Sequence, residues 1–286
     1  PLTNEELSNF GYSFQPTNWN GVYDGLITPR EAIMYSKNIT SLKVVYNLGL
    51  STALEYGKKS GLIYNSESSK SIATLALGEF NNDPSDRDGG NTTILASAYG
   101  SFGNKGIRTE AILYTKVIDS TGKVILDKTA DTTKLFSEET AYIMYDILKG
   151  PVTGFDAGGA KFGDIPVAGK SGTTDNSDSF WFSGLTPYYS ASVWIGYDMP
   201  TKLNGYSSSA ASLWGDVMGV VHQGLSYKEI EKPSTVVTAT VCRDSGKLAT
   251  DLCAQDQRGN RVRTEYFIEG TQPTTACDVH VTDRKS

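Results

Sequence analysis

The sequence predicts an α+β fold, in which helices pack against an antiparallel sheet. Segments with helix-capping residues come first and last in the main body of the chain. Between them lie β-prone segments joined by short turns such as Asp119-Ser120-Thr121-Gly122 and Leu185-Thr186-Pro187. Strands joined by tight turns pair antiparallel, whereas parallel strands need long crossovers, so this order favours α+β.

Composition places the chain among globular proteins. Of its 286 residues, 38% are hydrophobic and 20% are charged, values typical of a packed domain rather than a disordered segment. The net charge of −6, without a basic stripe, argues against a nucleic-acid partner. The sequence contains no run of about 18 apolar residues, so no membrane-spanning helix is predicted.

The first well-defined element is a helix that begins at Pro29. Thr28 has the hydroxyl of an N-cap, Pro29 suits the first helical position, and Glu31 can close a capping box. The preceding residues, 1–27, are rich in Asn, Gly and Tyr and show little periodicity. They are predicted to form a long ordered loop.

Two polar side chains lie in the connection that follows this helix. A second helix is predicted over about 40–47, so Ser36-Lys37-Asn38 falls between the two. A connection this short holds Ser36 and Asn38 rigidly. Taken alone, this S-x-N pattern is also explained as a polar helix end.

Caps, periodicity and turn residues predict the remaining elements of the main body. The predicted helices cover 51–59, 92–104, 138–149 and 209–223, and the predicted strands cover 111–118, 123–126, 180–184 and 189–197. The aromatic residues Trp181, Phe182 and Trp194 alternate on the last two strands and are expected to lie in the core.

A strand with polar chemistry precedes these last two strands. The apolar residues 165–168 lead into Lys170, Ser171, Gly172 and Thr173. Side chains alternate along a strand, so Lys170 and Gly172 face one side and the two hydroxyls face the other. A cation, an open backbone and hydroxyls suit the capture of an extended peptide that ends in a carboxylate. A solvated polar strand end explains the same residues.

The character of the chain changes near residue 232. Beyond it come β-branched residues, turns and all of the cysteines. We therefore predict a domain over 1–232 and a small β domain over 233–286. The latter is expected to have a strand over 236–243, followed by irregular structure.

The three cysteines, Cys242, Cys253 and Cys277, indicate one disulfide and a spare thiol, which favours an oxidising compartment. Their Cys-x10-Cys spacing does not match a metal-ligand pattern, and the two histidines, His222 and His280, lie far apart in sequence. We therefore expect no metal and no cofactor.

Together, Ser36-Lys37-Asn38 and Lys170-Ser171-Gly172-Thr173 resemble the S-x-N and K-T-G motifs of penicillin-binding proteins and serine β-lactamases. The flanking sequences are similar to those of class A (bifunctional) penicillin-binding proteins of Gram-positive bacteria. These flanks are 14–19, 21–25, 27–32, 179–187, 193–198 and the tail from Cys242 to His280. They are spread over the chain from residue 14 to residue 280, and the resemblance identifies it as the C-terminal part of a transpeptidase domain.

The resemblance implies a serine β-lactamase-like antiparallel sheet flanked by helices, and a role for each motif residue. Lys170 would supply a positive field that lowers the pKa of a catalytic lysine and would relay protons through Ser36. Asn38 would orient that lysine and the substrate amide. The Thr173 hydroxyl would bind the substrate carboxylate, and its backbone N–H would form half of the oxyanion hole. The other substrate-binding residues would be Ser171, Gly172 and Thr174.

The chain departs from the family at the nucleophile. The family's S-x-x-K motif precedes S-x-N by a few tens of residues, and Ser36 is too close to Pro1 to leave room for it. The one literal match, Ser120-Thr121-Gly122-Lys123, lies in a predicted hairpin turn. We therefore expect the nucleophile on a removed upstream segment or a companion chain, and no acylation of this chain alone. Ser171 stands where the family usually has threonine, and it keeps the hydroxyl.

The expected function is that of a peptidoglycan D,D-transpeptidase, which cross-links stem peptides through a serine acyl-enzyme and is a target of β-lactam antibiotics. Its expected place is the extracytoplasmic face of the bacterial cell membrane. Two alternatives stay open. One is a D,D-carboxypeptidase or β-lactamase-like hydrolase, and the other is a non-catalytic wall-binding or β-lactam-sensing domain.

Overall fold

The computed structural model of the chain describes residues 1–13, 15–80, 85–206 and 208–281. The chain forms two compact units, of which the first combines Pro1–Thr40 with Glu231–Ser286 and the second is Ser41–Ile230. The change near residue 232 that the sequence indicates lies beside the second of these boundaries. The grouping of the first forty residues with the C-terminal segment was not anticipated, and the domains over 1–232 and 233–286 stay a prediction.

Among the described residues, helices come first along the chain, and groups of short strands separated by single helices follow. The helices are α1 (Asn4–Phe10), α2 (Pro29–Met34), α3 (Asn38–Leu48), α4 (Leu50–Lys59), α5 (Ile72–Leu77), α6 (Thr92–Gly103), α7 (Glu138–Gly154), α8 (Ser208–Val221) and α9 (Asp251–Ala254), with 3-10 turns at Ser68–Lys70 and Gly158–Ala160. The strands are β1 (Ile107–Thr109), β2 (Lys116–Ile118), β3 (Val124–Asp127), β4 (Thr132–Lys134), β5 (Ala168–Thr173), β6 (Ser179–Leu185), β7 (Ser190–Gly196), β8 (Val236–Cys242) and β9 (Val262–Ile268).

The N-terminal segment contains a helix where a loop was predicted. α1 begins after Thr3, whose hydroxyl accepts a hydrogen bond from the Glu6 N–H, while the Glu6 carboxylate accepts one from the Thr3 N–H. Gly11 ends the helix in the left-handed conformation, with φ of 71°. The prediction of a loop over all of 1–27 was wrong because this capping box was overlooked.

α2 begins as the sequence predicts and is tied to the C-terminal sheet of the first unit. The Thr28 hydroxyl accepts from the Glu31 N–H at 3.2 Å, and the Glu31 carboxylate accepts from the Thr28 N–H at 3.1 Å. Arg30 pairs with Glu265 on β9 at 2.8 Å, and Glu31 pairs with Arg243. Arg30 and Glu31 are both buried, so these ion pairs fix the helix against the sheet.

β8 and β9 form an antiparallel pair, from Val236 opposite Ile268 to Cys242 opposite Val262. The predicted strand over 236–243 is confirmed. β9 lies where irregular structure was predicted, and that prediction was wrong. The sequence of β9, Val-Arg-Thr-Glu-Tyr-Phe-Ile, is rich in the β-branched and aromatic residues that favour strands.

The second unit is organised around a three-stranded antiparallel sheet in the order β5-β6-β7. α7 packs against β5, while α6 and α8 pack against β6 and β7. In the core, the rings of Phe182 and Trp214 meet edge to face with their centroids 5.3 Å apart. Helices packed on an antiparallel sheet confirm the predicted α+β class.

Trp194 does not lie in the core, contrary to the prediction, since the residue is 38% exposed. Successive residues of β6 face opposite sides of the sheet. Phe182 is fully buried, so Trp181 lies on the opposite face. Trp181 is paired in register with Trp194, and the two ring centroids are 6.2 Å apart.

Two smaller antiparallel pairs are β1 with β4 and β2 with β3. The second of these confirms the hairpin predicted around residues 119–122. None of the helices within the described ranges is long and apolar enough to cross a membrane.

Candidate active site

The polar strand predicted from the sequence is β5, one of the two outer strands of the three-stranded sheet. Lys170 is paired in register with Ser183, and Thr173 with Phe180. Within the described residues, the other edge of β5 carries no strand. Burial falls along the strand from Ala168, which is buried, to Thr173, which is exposed. The strand therefore runs from the core to the surface, and one of its backbone edges has no strand partner among the described residues.

The ammonium group of Lys170 is held close to its own strand. Its Nζ donates to the Ser171 carbonyl at 3.0 Å and approaches the Ser171 hydroxyl at 3.3 Å. Burial lowers the pKa of Lys170 below its ordinary value, and the negative charge of Asp156 opposes this shift. A cation held out of bulk water at an open strand edge can stabilise a nearby negative charge strongly.

Asp156 is a part of this site that the sequence analysis missed. The Ser171 hydroxyl donates to Asp156 Oδ2 at 2.6 Å, which links the strand to the segment after α7. The other oxygen of Asp156, Oδ1, is buried and has no hydrogen-bond partner among the described residues. Asp156 stands alone in a glycine-rich loop, so no local pattern indicated its place beside Lys170.

Three residues predicted to bind substrate, at the end of β5 and just after it, have different surroundings. A Cβ added at Gly172 would meet only the Trp181 Cβ, at 3.3 Å, so the backbone there is open to approach. Thr173 is exposed. The Thr174 hydroxyl is engaged in the following turn, where it donates to Asp178 Oδ1 at 2.5 Å and accepts from the Asp178 N–H. This geometry gives Thr174 a structural task, and its role in binding stays a prediction.

Ser36 lies in the short connection between α2 and α3, as predicted, whereas Asn38 is the first residue of α3. Ser36 has φ of 53°, an unusual value for a residue other than glycine. Between the two, the buried Lys37 places its Nζ 2.9 Å from the Asp24 carboxylate. Asn38 donates from Nδ2 to the Thr17 carbonyl at 3.2 Å. The connection is therefore anchored from its middle residue, and Asp24 was not singled out from the sequence.

A second anchor holds the start of α3. The buried Asn18 accepts a hydrogen bond from the Ile39 N–H at 3.1 Å and donates to the Val22 carbonyl at 2.7 Å. Asn18 belongs to the segment 14–19, which is similar to class A penicillin-binding proteins. Its contacts show that this segment holds the start of α3 in place. Phe14, in the same segment, lies outside the described residues.

The predicted site residues fall in two groups. Ser36 and Asn38 belong to the first unit, and Lys170 with Ser171 to Thr174 belongs to the second. Within each group the residues are neighbours in sequence. That the two groups share one cleft stays a prediction.

The one S-x-x-K sequence of the chain is poorly placed for a nucleophile. Ser120 and Lys123 are exposed in the turn between β2 and β3. Asp119 organises this turn, since its carboxylate accepts hydrogen bonds from the Thr121 N–H at 2.8 Å and the Lys123 N–H at 3.0 Å. A nucleophile needs a desolvated base within hydrogen-bond reach, and an exposed turn does not provide one.

The predicted disulfide is not formed. Cys242, Cys253 and Cys277 are free and buried, and they pack together as a small cluster.

Comparison with known families assigns the chain. Residues 3–219 match the family model described as the penicillin-binding protein transpeptidase domain, and residues 232–282 match the model of the penicillin-binding protein 1A C-terminal domain. The first match covers more than half of the chain, which therefore belongs to the transpeptidase family of penicillin-binding proteins. The resemblance to class A members from Gram-positive bacteria is confirmed.

Individual relatives give a more specific match than the family models do. The chain is 51% identical over 282 residues to penicillin-binding protein 1A of Clostridium perfringens, with 98% of this chain and 34% of that protein covered. It is 48% identical over 273 residues to penicillin-binding protein 1A of Clostridium botulinum, covering 95% of this chain and 32% of that protein. The chain thus spans about a third of the length of these relatives.

Solved structures share the fold at low identity. Penicillin-binding protein 1A from Haemophilus influenzae aligns with a TM-score of 0.72 at 20% identity, covering 92% of this chain and 43% of that one. PonA1 from Mycobacterium tuberculosis aligns with a TM-score of 0.62 at 22% identity, covering 77% and 63%. These alignments support the fold class.

Proposed function

We propose that the chain supplies part of the active site of a peptidoglycan D,D-transpeptidase. The enzyme takes the acyl group from a stem peptide that ends in D-Ala-D-Ala and passes it to an amine of a neighbouring stem. One observation carries the proposal within the family. Lys170, whose pKa is lowered by burial, lies on an outer strand whose second edge pairs with no other strand of the described residues.

In the first step, a serine oxygen attacks the carbonyl of the penultimate D-Ala. The bond from serine oxygen to carbonyl carbon forms, the bond to the terminal D-Ala nitrogen breaks, and the serine proton passes to that nitrogen. A neutral lysine next to the serine accepts the proton first. The positive charge of Lys170 favours the neutral form of that second lysine, and the Ser36 hydroxyl passes the proton to the leaving amine.

The open edge of β5 positions the substrate. An extended stem peptide pairs with the strand edge, and its terminal carboxylate lies at the Thr173 hydroxyl near the charge of Lys170. The Thr173 N–H contributes to the oxyanion hole, and Asn38 holds the substrate amide. A β-lactam antibiotic occupies the same edge as a mimic of the peptide terminus.

The nucleophile comes from outside these 286 residues, on an upstream segment or a companion chain. Ser120 is the serine of the chain's one S-x-x-K sequence, and its exposure in a hairpin turn supports this assignment. Peptidoglycan stems are displayed outside the cytoplasm, so the site works at the extracytoplasmic face of the membrane.

Product analysis tests the proposal. A polypeptide that joins this chain to its S-x-x-K segment is given D-Ala-D-Ala stem peptides, with and without an acceptor amine, and the products are measured by mass spectrometry. We expect cross-linked product when the acceptor is present, and its loss in Lys170→Ala. Lys161→Ala, at an exposed lysine that precedes Lys170 in the same stretch of sequence, is the matched control and keeps the activity.

Each alternative gives a different product pattern. A hydrolase releases the free acid even with abundant acceptor. A sensor is acylated by a labelled penicillin and forms no cross-link. Either result overturns the transpeptidase proposal.

A double-mutant cycle tests whether Ser36 and Lys170 share one cleft. The acylation rate by a labelled penicillin is measured for Ser36→Ala, Lys170→Ala and the double variant. Residues that act on one proton path lose rate together, so the double variant is expected to be no slower than the worse single variant. Independent, multiplying losses would contradict a shared cleft.

A further inference from the structure

Three thiols and an imidazole meet at one point of the first unit. The Sγ atoms of Cys242, Cys253 and Cys277 and a ring nitrogen of His280 all lie within 4.8 Å of one another. The cysteines are buried, and the His280 side chain is 9% exposed. Nδ1 of His280 is 3.4 Å from both the Cys242 and the Cys277 sulfur.

These distances fit a tetrahedral metal site. With metal–sulfur bonds of about 2.3 Å and a metal–nitrogen bond of about 2.0 Å, a sulfur and a nitrogen ligand of zinc lie about 3.5 Å apart. We propose that Cys242, Cys253, Cys277 and His280 bind one zinc ion. Three thiolates and one imidazole form a standard ligand set for structural zinc, and soft sulfur ligands disfavour magnesium and calcium.

The residues around His280 support the proposal independently. With Nδ1 directed at the thiols, the opposite nitrogen, Nε2, lies 2.7 Å from the Asp256 carboxylate and 3.3 Å from the Asp244 carboxylate. A histidine that binds zinc characteristically donates its second ring N–H to a carboxylate, which fixes the ring and its tautomer. Arg258 and Arg261 in turn pair with Asp244, each at 2.6 Å.

Hydrogen bonds to the sulfur atoms add to the match. The Thr250 N–H donates to the Cys253 sulfur at 3.3 Å. The Thr250 hydroxyl lies 3.4 Å from the same sulfur. Such donors compensate the negative charge of thiolate ligands.

The fold brings the four ligands from separate places. Cys242 ends β8, Cys253 lies on α9, and Cys277 and His280 lie in the tail. Leu248 bridges to Val241 on one side and to Ala276 on the other, which draws the tail against the strand. Among the described residues, the buried cluster here consists of the three cysteines, with Ala249 and Val262 packed on it. So small an apolar cluster gives little stability, and zinc supplies the missing cross-link.

The site is closed and therefore structural. All four tetrahedral positions are taken by protein ligands, which leaves none for a substrate or a catalytic water. This proposal replaces the sequence-based expectation of one disulfide and no metal. It does not depend on the proposed transpeptidase activity.

The first test measures metal content. The full chain is purified without a metal-binding tag, dialysed against metal-free buffer and analysed by plasma mass spectrometry. We expect about one zinc ion per chain. Cobalt(II) in place of zinc should give the intense visible bands of a tetrahedral site and a sulfur-to-cobalt charge-transfer band. Intact mass measured under denaturing conditions, without reductant, should be that of three free thiols.

Variants locate the site. Cys253→Ser and His280→Asn should lower the zinc content, and Asp256→Asn should weaken zinc binding about 10–100-fold in a chelator competition. Asp278→Asn is the matched control, since this exposed carboxylate lies between two ligands in sequence and pairs with Lys247. It should bind zinc as the unchanged chain does.

Two results overturn the proposal. One is a chain without zinc whose mass is two hydrogens lower, which shows that two of the cysteines form a disulfide. The other is a zinc content that is unchanged in both Cys253→Ser and His280→Asn. The readout on the unchanged chain remains decisive even if a cysteine variant fails to fold.

Discussion

The Ser171 hydroxyl donates a 2.6 Å hydrogen bond to Asp156 while its own oxygen lies 3.3 Å from Lys170 Nζ. This hydroxyl therefore stands between a carboxylate and an ammonium group. The family's usual residue at this position, threonine, offers the same hydroxyl. Asp156, which the strand motif does not include, is the counter-charge in this arrangement.

Replacing Asp156 should change the pKa of Lys170. Asp156 raises that pKa against the effect of burial, so Asp156→Asn should lower it further. Titration of isotopically labelled lysine side chains by NMR, on the chain itself, measures the shift. Asp164→Asn, at an exposed carboxylate in the same loop region, should leave the Lys170 pKa unchanged. An unchanged or raised pKa in Asp156→Asn would contradict the account.

Lys170 should also make the free energy of unfolding depend on pH. Its pKa in the folded chain lies below the ordinary value of 10.5, so the unfolded chain binds more protons between the two values. The contribution of this group to stability therefore rises with pH in the window below 10.5. Denaturant unfolding at several alkaline pH values should show this rise, and Lys170→Met should remove it.

Substitutions at Ser171 should separate the hydroxyl from the shape of the side chain. Ser171→Thr keeps the donor to Asp156, so stability should be close to that of the unchanged chain. Ser171→Val has nearly the same shape as threonine and removes the donor. The loss of a hydrogen bond to a charged group should cost about 1.5–3 kcal/mol. Equal thermal stability of the two variants would show that the hydrogen bond is unimportant.

Gly169 should tolerate no side chain. A Cβ there would lie 2.4 Å from the Phe182 ring and 2.8 Å from the Ser183 carbonyl. Gly169→Ala should destabilise the second unit by about 1–3 kcal/mol, as overpacking does. Gly172→Ala is the matched control on the same strand, because its nearest contact would be at 3.3 Å. Thermal unfolding should show the larger loss at Gly169, and the reverse order would contradict the packing described for β5 and β6.

The buried pair of Arg30 with Glu265 should hold α2 in place. Its side chains are 10% and 13% exposed, so Glu265→Gln removes a charge that is largely out of water. This substitution should lower the free energy of unfolding by about 3 kcal/mol. That is the lower end of the range for buried pairs, because Arg263 shares the same carboxylate. Hydrogen exchange of the amides in α2 should accelerate.

The exposed pair of Lys59 with Glu55 provides the comparison for that experiment. Both side chains are well exposed, at 45% and 60%, and surface pairs of this kind contribute little. Glu55→Gln should leave exchange in α2 unchanged. Equal exchange in the Glu265→Gln variant and the unchanged chain would show that the C-terminal sheet does not hold this helix.

Local patterns were enough to predict much of the fold. The capping box at Thr28 and Glu31 and the turn at 119–122 depend on neighbouring residues, and both were located from the sequence. The same logic applied to Thr3 and Glu6 would have located α1. The surface position of Trp194 depends on which face of the sheet is covered, and periodicity along one strand does not give that.

In the candidate site, too, some features were visible in the local sequence and others depend on packing. The β5 motif stood out because four chemically related residues are adjacent in sequence. Asp156 reaches Ser171 from a loop fourteen residues before Lys170, and only the packing of α7 against β5 places it there. In the cysteine cluster, the spacing Cys277-x2-His280 was a usable local sign of a metal site.

Mapping the acylated serine tests the central claim most directly. A polypeptide that joins this chain to its S-x-x-K segment is treated with a labelled penicillin, digested, and analysed by mass spectrometry. We predict the label on the serine of that segment, outside residues 1–286, and a loss of at least about a hundredfold in acylation rate in Lys170→Ala. Label on Ser120 or another serine of this chain, or acylation that is unchanged by Lys170→Ala, would contradict the assignment.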